Sequence, residues 1–253
     1  MAPIPHMANV PSSPTIFRAA VNYWRSSAAT SGPWGGTGSL VRKFWDFLLE
    51  STPSRLRQRY GDADYDWDYR VNTTSAAVGW RDRLIGVLNS PYQPTEPDLF
   101  HEMLDWLKKQ ESLDFHGFTF LDLGSGKGRT LLMASDYPFR RIVGIELLPN
   151  LDRIARENLR QYKSESQQCF SLESICGDAT RFPLPKEPLL IYLFNPFPES
   201  GLRVFLEMLR RSKEENPRTV YVIYHNPALE EAVTESEFLR KIGGTHQYSI
   251  FVV

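Results

Sequence analysis

The feature that most constrains the fold of this chain is an apolar run that leads directly into a glycine-rich turn. Residues 118–123 have the composition of a buried strand, and Gly124, Gly126 and Gly128 follow at alternate positions before a helix-like stretch. Glycines are needed where a backbone turns sharply and where a ligand approaches the main chain closely. A tight strand-to-helix turn without a ligand also uses glycines, so the loop alone does not decide between structure and binding.

The same alternation of strand and helix continues to the C-terminus. Predicted strands cover 118–123, 142–147, 174–177, 189–194 and 220–224, and predicted helices cover 128–136, 150–161, 199–212 and 228–235. Strands alternating with helices favour βαβ units and a mainly parallel sheet. A strand over 238–242, a turn at Gly243-Gly244 and a strand over 247–253 predict an antiparallel hairpin that closes the sheet. The expected architecture is therefore an α/β, Rossmann-like domain.

The N-terminal part of the chain has a different composition. Residues 1–38 are rich in Pro, Ser, Ala and Gly, which predicts a flexible lead. Residues 39–110 are expected to form a helical extension, with one amphipathic helix from Ser39 docked on a larger body and another over 97–109. The aperiodic stretch 55–67 is interpreted as a surface segment. The Rossmann-like domain is expected to cover 111–253.

Composition excludes several classes of function. The formal net charge of -1 provides no overall field to hold nucleic acid or an anionic membrane. No apolar run approaches the roughly 20 residues that span a bilayer, and the first residues lack the pattern of a signal peptide. The two cysteines, Cys169 and Cys176, have no metal-binding or redox spacing. We therefore expect a cytoplasmic protein without a metal, a membrane contact or a nucleic-acid partner.

The residues around the glycines distinguish between nucleotide ligands. A phosphate-binding P-loop is excluded because Leu121 stands at its first glycine position and Gly128 follows Lys127 where a hydroxyl residue is required. A nicotinamide dinucleotide would place a pyrophosphate on the helix N-terminus, where Asp122 would be unfavourable. A carboxylate at this point suits a ligand with an ammonium group and no phosphate. The methionine end of S-adenosylmethionine has this chemistry.

Acidic residues also follow the next two predicted strands. Glu146 lies 20 residues beyond Gly126, where a carboxylate can accept hydrogen bonds from both ribose hydroxyls. Asp178 is placed to accept from an adenine amino group, with the Ala179 amide facing a ring nitrogen. Singly, Glu146 could be an ordinary exposed residue and Asp178 a helix cap. Acidic residues at three successive strand ends together predict binding of S-adenosylmethionine.

The segments FLDLGSGKGR, VGIEL, CGDA and IYLFNPFP resemble the class I (seven-β-strand) S-adenosylmethionine-dependent methyltransferases over about residues 90–253. The chain is most similar to uncharacterised bacterial members and is distantly similar to the non-SET lysine methyltransferases. The resemblance implies a strand order of 3-2-1-4-5-7-6 with an antiparallel strand 7. It also implies that the segment before the domain either caps the cofactor or is a rigid linker. The resemblance implies cofactor-binding roles for Asp122, Gly124, Gly126, Glu146 and Asp178, and its capping segment would contain Tyr92 and Thr95. The further cofactor-binding candidates are Ser125, Gly128, Arg129, Ala179 and Asn195. Arg129 is expected either to meet the cofactor carboxylate or to be a solvated charge.

The fourth predicted strand ends in Asn195-Pro196-Phe197, beside the glycine loop in a sheet of this order. An asparagine oxygen and a carbonyl at a proline can orient an amine, and an aromatic ring can stabilise the charge that develops on its nitrogen. The motif resembles the N-P-P-[FY] motif of amino-group methyltransferases, although it has a single proline before the aromatic residue. The structural alternative is a proline-bounded turn.

We therefore expect methyl transfer to an amine nitrogen, such as that of a protein lysine. Methylation of a small molecule or an oxygen, and a non-catalytic cofactor-binding scaffold, are the alternatives. His225 is expected either to line the acceptor pocket, to supply a base or to be a satisfied histidine.

Overall fold

The computed structural model describes residues 16–50, 63–74 and 94–253. The helices are α1 (Ile16–Glu50), α2 (Ala63–Tyr69), α3 (Pro97–Gln110), α4 (Arg129–Ala134), α5 (Pro149–Gln161), α6 (Glu199–Glu215) and α7 (Glu230–Thr234). The strands are β1 (Thr119–Leu123), β2 (Arg141–Glu146), β3 (Leu172–Cys176), β4 (Leu189–Phe194), β5 (Val220–His225), β6 (Arg240–Gly244) and β7 (Tyr248–Val252). Short 3-10 helices cover Phe115–Gly117 and Ala179–Arg181.

The strands form one seven-stranded sheet in the order β3-β2-β1-β4-β5-β7-β6. Strands β1 to β5 pair in parallel, and β7 is antiparallel to both β5 and β6. The predicted fold class and strand order are thus confirmed. The order reverses between β1 and β4, so the carboxyl ends of these two strands border the crevice in which doubly wound sheets bind ligands.

Helices cover both faces of the sheet, and side chains alternate between the faces along each strand. On the first face, α3 and α4 pack with Phe120 of β1 and Tyr192 of β4. On the second face, α6 packs with Leu121 and Leu193. Because both faces are covered, the central strands are largely apolar, as is usual for parallel sheets. This pattern makes them recognisable in the sequence.

Helix α3 packs in the core of the first face. Phe100 is fully buried, with its ring centroid 5.6 Å from that of Tyr192. Trp106 lies against β6, because a Cβ added to Gly243 would come within 2.1 Å of the indole ring. The predicted turn at Gly243-Gly244 is therefore wrong. Both glycines belong to β6, where Gly243 makes room for Trp106 and Gly244 lies against the backbone of β7.

The first described helix begins within the predicted lead. Residues 16–38 belong to α1, whose helical geometry is interrupted at Gly32 (φ 74°), and residues 1–15 lie outside the described ranges. Trp24 Nε1 donates to Thr37 Oγ1 across this interruption, over 3.2 Å. The helix predicted from Ser39 is present as the end of α1. Its apolar residues Val41 and Trp45 are 64% and 61% exposed, which differs from the predicted docked face.

Candidate functional site

The three glycines form a left-handed turn between β1 and α4. Their φ angles are 87° at Gly124, 56° at Gly126 and 81° at Gly128, a region in which a side chain is strained. A Cβ on Gly124 would also lie 2.8 Å from the Cβ of Pro196, which follows β4. The loop therefore has to be made of glycine for two reasons, its backbone conformation and its closeness to the end of β4.

Asp122 lies at the carboxyl end of β1, directly before this turn. It is 2% exposed and accepts a short hydrogen bond from the Thr130 hydroxyl at the start of α4. No described lysine or arginine forms an ion pair with it. Burial raises the pKa of the Asp122 carboxyl to about 7, and the nearby Glu146 carboxylate adds to this increase. The site therefore has a buried acid that a cationic ligand group would stabilise in its ionised form.

Glu146 ends β2, the neighbouring strand, and is 6% exposed. Its carboxylate accepts from the Gly126 amide and from the Leu148 amide, each over 2.8 Å. Burial raises the pKa of Glu146 to about 7, and the backbone hydrogen bonds partly oppose this. An ionised carboxylate has about four lone-pair positions, and these two amides with that of Leu147 do not fill them all. Glu146 thus both fixes the glycine turn and retains capacity to accept hydrogen bonds.

Asp178 follows β3 and caps the 3-10 helix Ala179–Arg181. One of its oxygens accepts from the Thr180 amide (2.9 Å) and hydroxyl (2.7 Å), and the other lies 3.7 Å from Arg181 Nε. The capping role that the sequence left open is therefore present. Ala179 is buried beside it. Asp122, Glu146 and Asp178 end three adjacent strands, and the adenine contact stays a prediction.

Ser125 is a further polar residue of the turn. Its side chain is 5% exposed, and its hydroxyl has no hydrogen-bond partner among the described residues. The hydroxyl lies against β2, since a Cβ on Gly144 would come within 2.6 Å of Ser125 Oγ. The backbone amide donates to the Ile145 carbonyl over 3.1 Å. Its side chain therefore packs between the glycine turn and β2.

Asn195 follows β4 in the left-handed conformation, with φ 46°. Its amide oxygen accepts from the Tyr224 hydroxyl (2.9 Å), and its amide nitrogen donates to the Asn226 carbonyl (2.7 Å). Phe197 stacks on Phe205 of α6, with ring centroids 5.8 Å apart. Both side chains thus contact groups of the second face, while Pro196 contacts the glycine loop.

Two cationic side chains of the loop contact the N-terminal part of the chain. Residues 63–74, which we call the anchor segment, consist of α2 and the extended residues after it. Lys127 Nζ donates to Asn72 Oδ1 (2.9 Å) and to the Thr74 carbonyl (2.6 Å). Burial lowers the pKa of Lys127 to about 8. The side chain of Asn158 in α5 bonds both Asn72 and the Lys127 carbonyl.

Arg129 is 2% exposed and also contacts the anchor segment. Its Nε donates to Thr73 Oγ1 (2.7 Å), its Nη2 lies 3.4 Å from Asp66 Oδ1, and its guanidinium lies 4.8 Å from the ring centroid of Tyr65. Arg129 thus contacts the anchor segment, and its contact with the cofactor carboxylate stays a prediction. Part of the stretch predicted to lie on the surface is therefore packed behind the glycine loop, and sequence reasoning missed it because the stretch is aperiodic.

A series of hydrogen-bonded side chains lies on the first face beside Asp122. Thr95, which precedes α3, is 3% exposed, and its hydroxyl lies 2.9 Å from the Tyr192 hydroxyl. The Tyr192 hydroxyl lies 2.7 Å from Nδ1 of His225 at the end of β5. Burial lowers the pKa of His225 to about 4, so the ring is neutral at physiological pH. Thr95 is thus close to the strand ends, as its predicted capping role requires, and Tyr92 lies outside the described residues.

The central part of the chain matches a known domain model. Residues 121–189, from β1 to the start of β4, match the model of a methyltransferase domain. A 67-residue stretch is 40% identical to the release factor glutamine methyltransferase of Vibrio cholerae. This stretch is 25% of the chain and 23% of that relative, so the chain matches about a quarter of the relative's length.

Two solved structures match part of the chain. An RNA methyltransferase from Salinibacter ruber, in complex with S-adenosyl-L-homocysteine, is 20% identical over 63% of this chain and 92% of its own, with a TM-score of 0.40. The PH0226 protein from Pyrococcus horikoshii is 16% identical over 61% and 88%, with a TM-score of 0.45. None of the helices within residues 16–50, 63–74 and 94–253 has the length and apolarity that crossing a bilayer requires. The match at the glycine loop and the sheet order 3-2-1-4-5-7-6 both agree with the resemblance to class I methyltransferases.

Proposed function

We propose that this protein is an S-adenosylmethionine-dependent methyltransferase that acts on an amine nitrogen of a protein, such as a lysine, or of a small molecule. One observation carries the proposal. Asp122 and Glu146 are buried carboxylates at the ends of adjacent strands, they flank a left-handed glycine turn, and no described cation pairs with either. Buried charge without a partner is costly, so this arrangement favours a ligand that brings a cation and several hydroxyl donors.

The residues present fit S-adenosylmethionine, which when bound supplies a methyl group on a positively charged sulfur. Asp122 would accept from the ammonium group of its methionine part, and Glu146 would accept from its ribose hydroxyls. Asp178 and Ala179 would hold the adenine. Close approach to the backbone at Gly124, Gly126 and Gly128, with support from Ser125, would complete the cofactor site, and Thr95 and Tyr92 would cap it.

Asn195 and Pro196 would orient the methyl acceptor at the end of β4. Each polar atom of the Asn195 amide has one partner in the structure. One N–H and one lone pair therefore remain for an acceptor. The hydrogen bonds to β5 fix the direction in which the remaining groups point. Arg129 would lie beside the proposed cofactor site, held by Asp66 and Thr73 through two of its five N–H donors.

Calorimetry with S-adenosylhomocysteine tests the cofactor assignment. We expect saturable binding by the full chain, and Asp122→Asn should weaken it about tenfold or more, since it removes a charge-assisted hydrogen bond from a buried site. Asp114→Asn is the matched control, because Asp114 is exposed and hydrogen-bonds to His116. Absence of any binding heat with the wild-type protein would refute the proposal.

The acceptor is tested with cofactor that carries a labelled methyl group, incubated with cell extract and then separated into protein, RNA and small-molecule fractions. We expect label in the protein or small-molecule fraction, in a linkage stable to mild base as methylamines are. Asn195→Ala should slow labelling far more than it weakens S-adenosylhomocysteine binding. Tyr224→Phe removes one hydrogen bond of Asn195 and keeps its amide, so equal losses in both variants would assign Asn195 a structural role.

A further inference from the structure

The two faces of the sheet present different groups at the ends of β4 and β5. Asn195 and Phe197 contact the second face, through Tyr224 and Phe205. Phe194 and His225 are register partners on the first face, the face of Asp122. Their rings are stacked, with centroids 4.0 Å apart. On the first face, the side chains that lie beyond Asp122 at the carboxyl ends of β4 and β5 are therefore an aromatic ring and an imidazole.

Register places this pair next to the proposed cofactor site. Asp122 in β1 is the direct partner of Tyr192 in β4, and Phe194 and His225 lie one pleat further toward the carboxyl edge. In a sheet of this order the ligand crevice lies outside the carboxyl ends of β1 and β4. His225 is thus one strand away from that crevice, on the side of the acceptor.

The hydrogen bonds of His225 leave one ring nitrogen available. Nδ1 is engaged by the Tyr192 hydroxyl, and Nε2 has no hydrogen-bond partner among residues 16–50, 63–74 and 94–253. If His225 Nδ1–H donates to the Tyr192 oxygen, the Tyr192 hydroxyl donates in turn to Thr95 Oγ1. In this arrangement Nε2 carries a lone pair and accepts hydrogen bonds.

We propose that His225 Nε2 binds the methyl acceptor by accepting a hydrogen bond from the nitrogen that is methylated, while the Tyr192 hydroxyl, itself bonded to Thr95, contacts Nδ1 and orients the imidazole. The proposal rests on the proposed function and adds an acceptor-binding residue to it. His225 is the binding residue, and Tyr192 is a positioning residue that acts through it.

The role of His225 is consistent with the balance of the reaction. In an N-methylation the nitrogen lone pair forms the new N–C bond, the C–S bond breaks with its electron pair left on sulfur, and the product nitrogen releases one proton. His225 would accept a hydrogen bond from the attacking N–H, which directs the lone pair away from the imidazole. Its low pKa keeps the ring neutral, so the released proton passes to water.

Sinefungin tests this assignment without knowledge of the natural acceptor. In this cofactor analogue a carbon bearing an amine replaces the methylsulfonium group, so an ammonium stands where the acceptor side of the site begins. We expect His225→Asn to weaken sinefungin binding about tenfold or more, with less than about a threefold change for S-adenosylhomocysteine, because a hydrogen bond to a charged donor is lost. His225→Gln should recover part of the loss.

The two substitutions separate the two ring nitrogens. Asparagine keeps a polar group for Tyr192 near the position of Nδ1 and removes Nε2, whereas glutamine places an amide oxygen near the position of Nε2. Tyr221→Phe is the control, because this residue lies on the same strand and face and hydrogen-bonds to Glu111 at the opposite edge of the sheet. Its two affinities should match those of the wild-type protein.

Each outcome decides a different claim. An unchanged ratio of the sinefungin and S-adenosylhomocysteine dissociation constants in His225→Asn would overturn the role of His225 and leave the proposed function standing. A parallel loss of both affinities in both His225 variants would show a structural role and also overturn it. If the wild-type protein binds neither compound, the proposed function fails, and the role of His225 fails with it.

Discussion

At the scale of single residues, the site is defined by two acids whose protonation depends on what is bound. Burial raises the pKa of both Asp122 and Glu146 to about 7. Unfolding returns each to its ordinary value near 4. Between these values the folded state holds more protons than the unfolded state, so unfolding free energy falls as pH rises from about 4 to about 7. A cationic ligand reverses this by favouring the ionised carboxylates.

Binding of S-adenosylhomocysteine near pH 6 should therefore release protons, and the affinity should increase with pH until it levels off above about pH 7. Calorimetry in buffers of different ionisation enthalpy measures the number of protons released. Asp122→Asn should release fewer, since one of the two acids is gone. An affinity independent of pH, with no proton release in any buffer, would contradict the proposed roles of both carboxylates.

The sequence predicted those residues whose position follows from the strand pattern alone. Asp122, Glu146 and Asp178 each follow an apolar run, so their place at strand ends could be predicted without coordinates. The partner of Arg129 could not, because Asp66 lies 63 residues earlier in a stretch without periodicity. The hydrogen bond between the Tyr192 hydroxyl and His225 Nδ1 could not be predicted either, because strand order alone does not specify which side chains of β4 and β5 meet.

At the scale of elements, the glycine loop joins β1, β2, α4 and the end of β4 in one turn. The Gly124 and Ser125 amides both donate to the Ile145 carbonyl of β2, over 2.8 and 3.1 Å. Gly126 is tied to Glu146, and Gly124 lies against Pro196. A change in the loop would therefore alter the position of the proposed cofactor and acceptor sites together.

Gly124→Ala should be more harmful than an ordinary glycine substitution. The strained φ angle costs about 1–2 kcal/mol of unfolding free energy, and contact with Pro196 adds to this. We expect a lower melting temperature and a large loss of S-adenosylhomocysteine affinity. Gly117→Ala is the control, because no atom lies within 4 Å of its added Cβ. The proposed closeness of the loop to the ligand would be disproved if Gly124→Ala bound S-adenosylhomocysteine like the wild type.

The bounds of a strand were predicted best where residues that disfavour a strand follow the apolar run directly. The bounds of β4 agree with the prediction because an apolar run is followed at once by Asn195-Pro196. The end of β6 was misplaced because Gly243 and Gly244 resemble a turn. Glycine is required at these two positions for packing against Trp106 and for backbone contact with β7. Both contacts involve residues far apart in sequence or on the partner strand.

At the scale of the whole molecule, the anchor segment connects the N-terminal region to the back of the glycine loop. Asp66 accepts from the Thr73 amide (2.7 Å), the Thr74 amide (2.9 Å) and the Thr73 hydroxyl, and it pairs with Arg129. Val71 packs on Leu132 of α4 in a small apolar cluster. The segment therefore contributes both charge and apolar contact to the helix that begins at the loop.

Asp66→Ala should lower the free energy of unfolding by about 3 kcal/mol, because it leaves the buried Arg129 without its carboxylate. It should also weaken S-adenosylhomocysteine binding by shifting the loop. Leu209→Ala in α6 should destabilise the fold by about 2–5 kcal/mol from a fully buried site on the second face. Denaturant unfolding and calorimetry on both variants separate the effects. Equal affinity in the two variants would limit the anchor segment to a role in stability.

The burial of Lys127 has a consequence for how the protein should be shortened. A chain that starts at Pro94 would keep all seven strands and every described residue of the proposed cofactor site. It would also strip Lys127, Arg129 and Asn158 of the partners that they have in residues 63–74. Expression boundaries chosen from the sheet alone would therefore remove the hydrogen-bond and charge partners of three buried polar side chains. Crystallisation and screening should retain the chain from before residue 63.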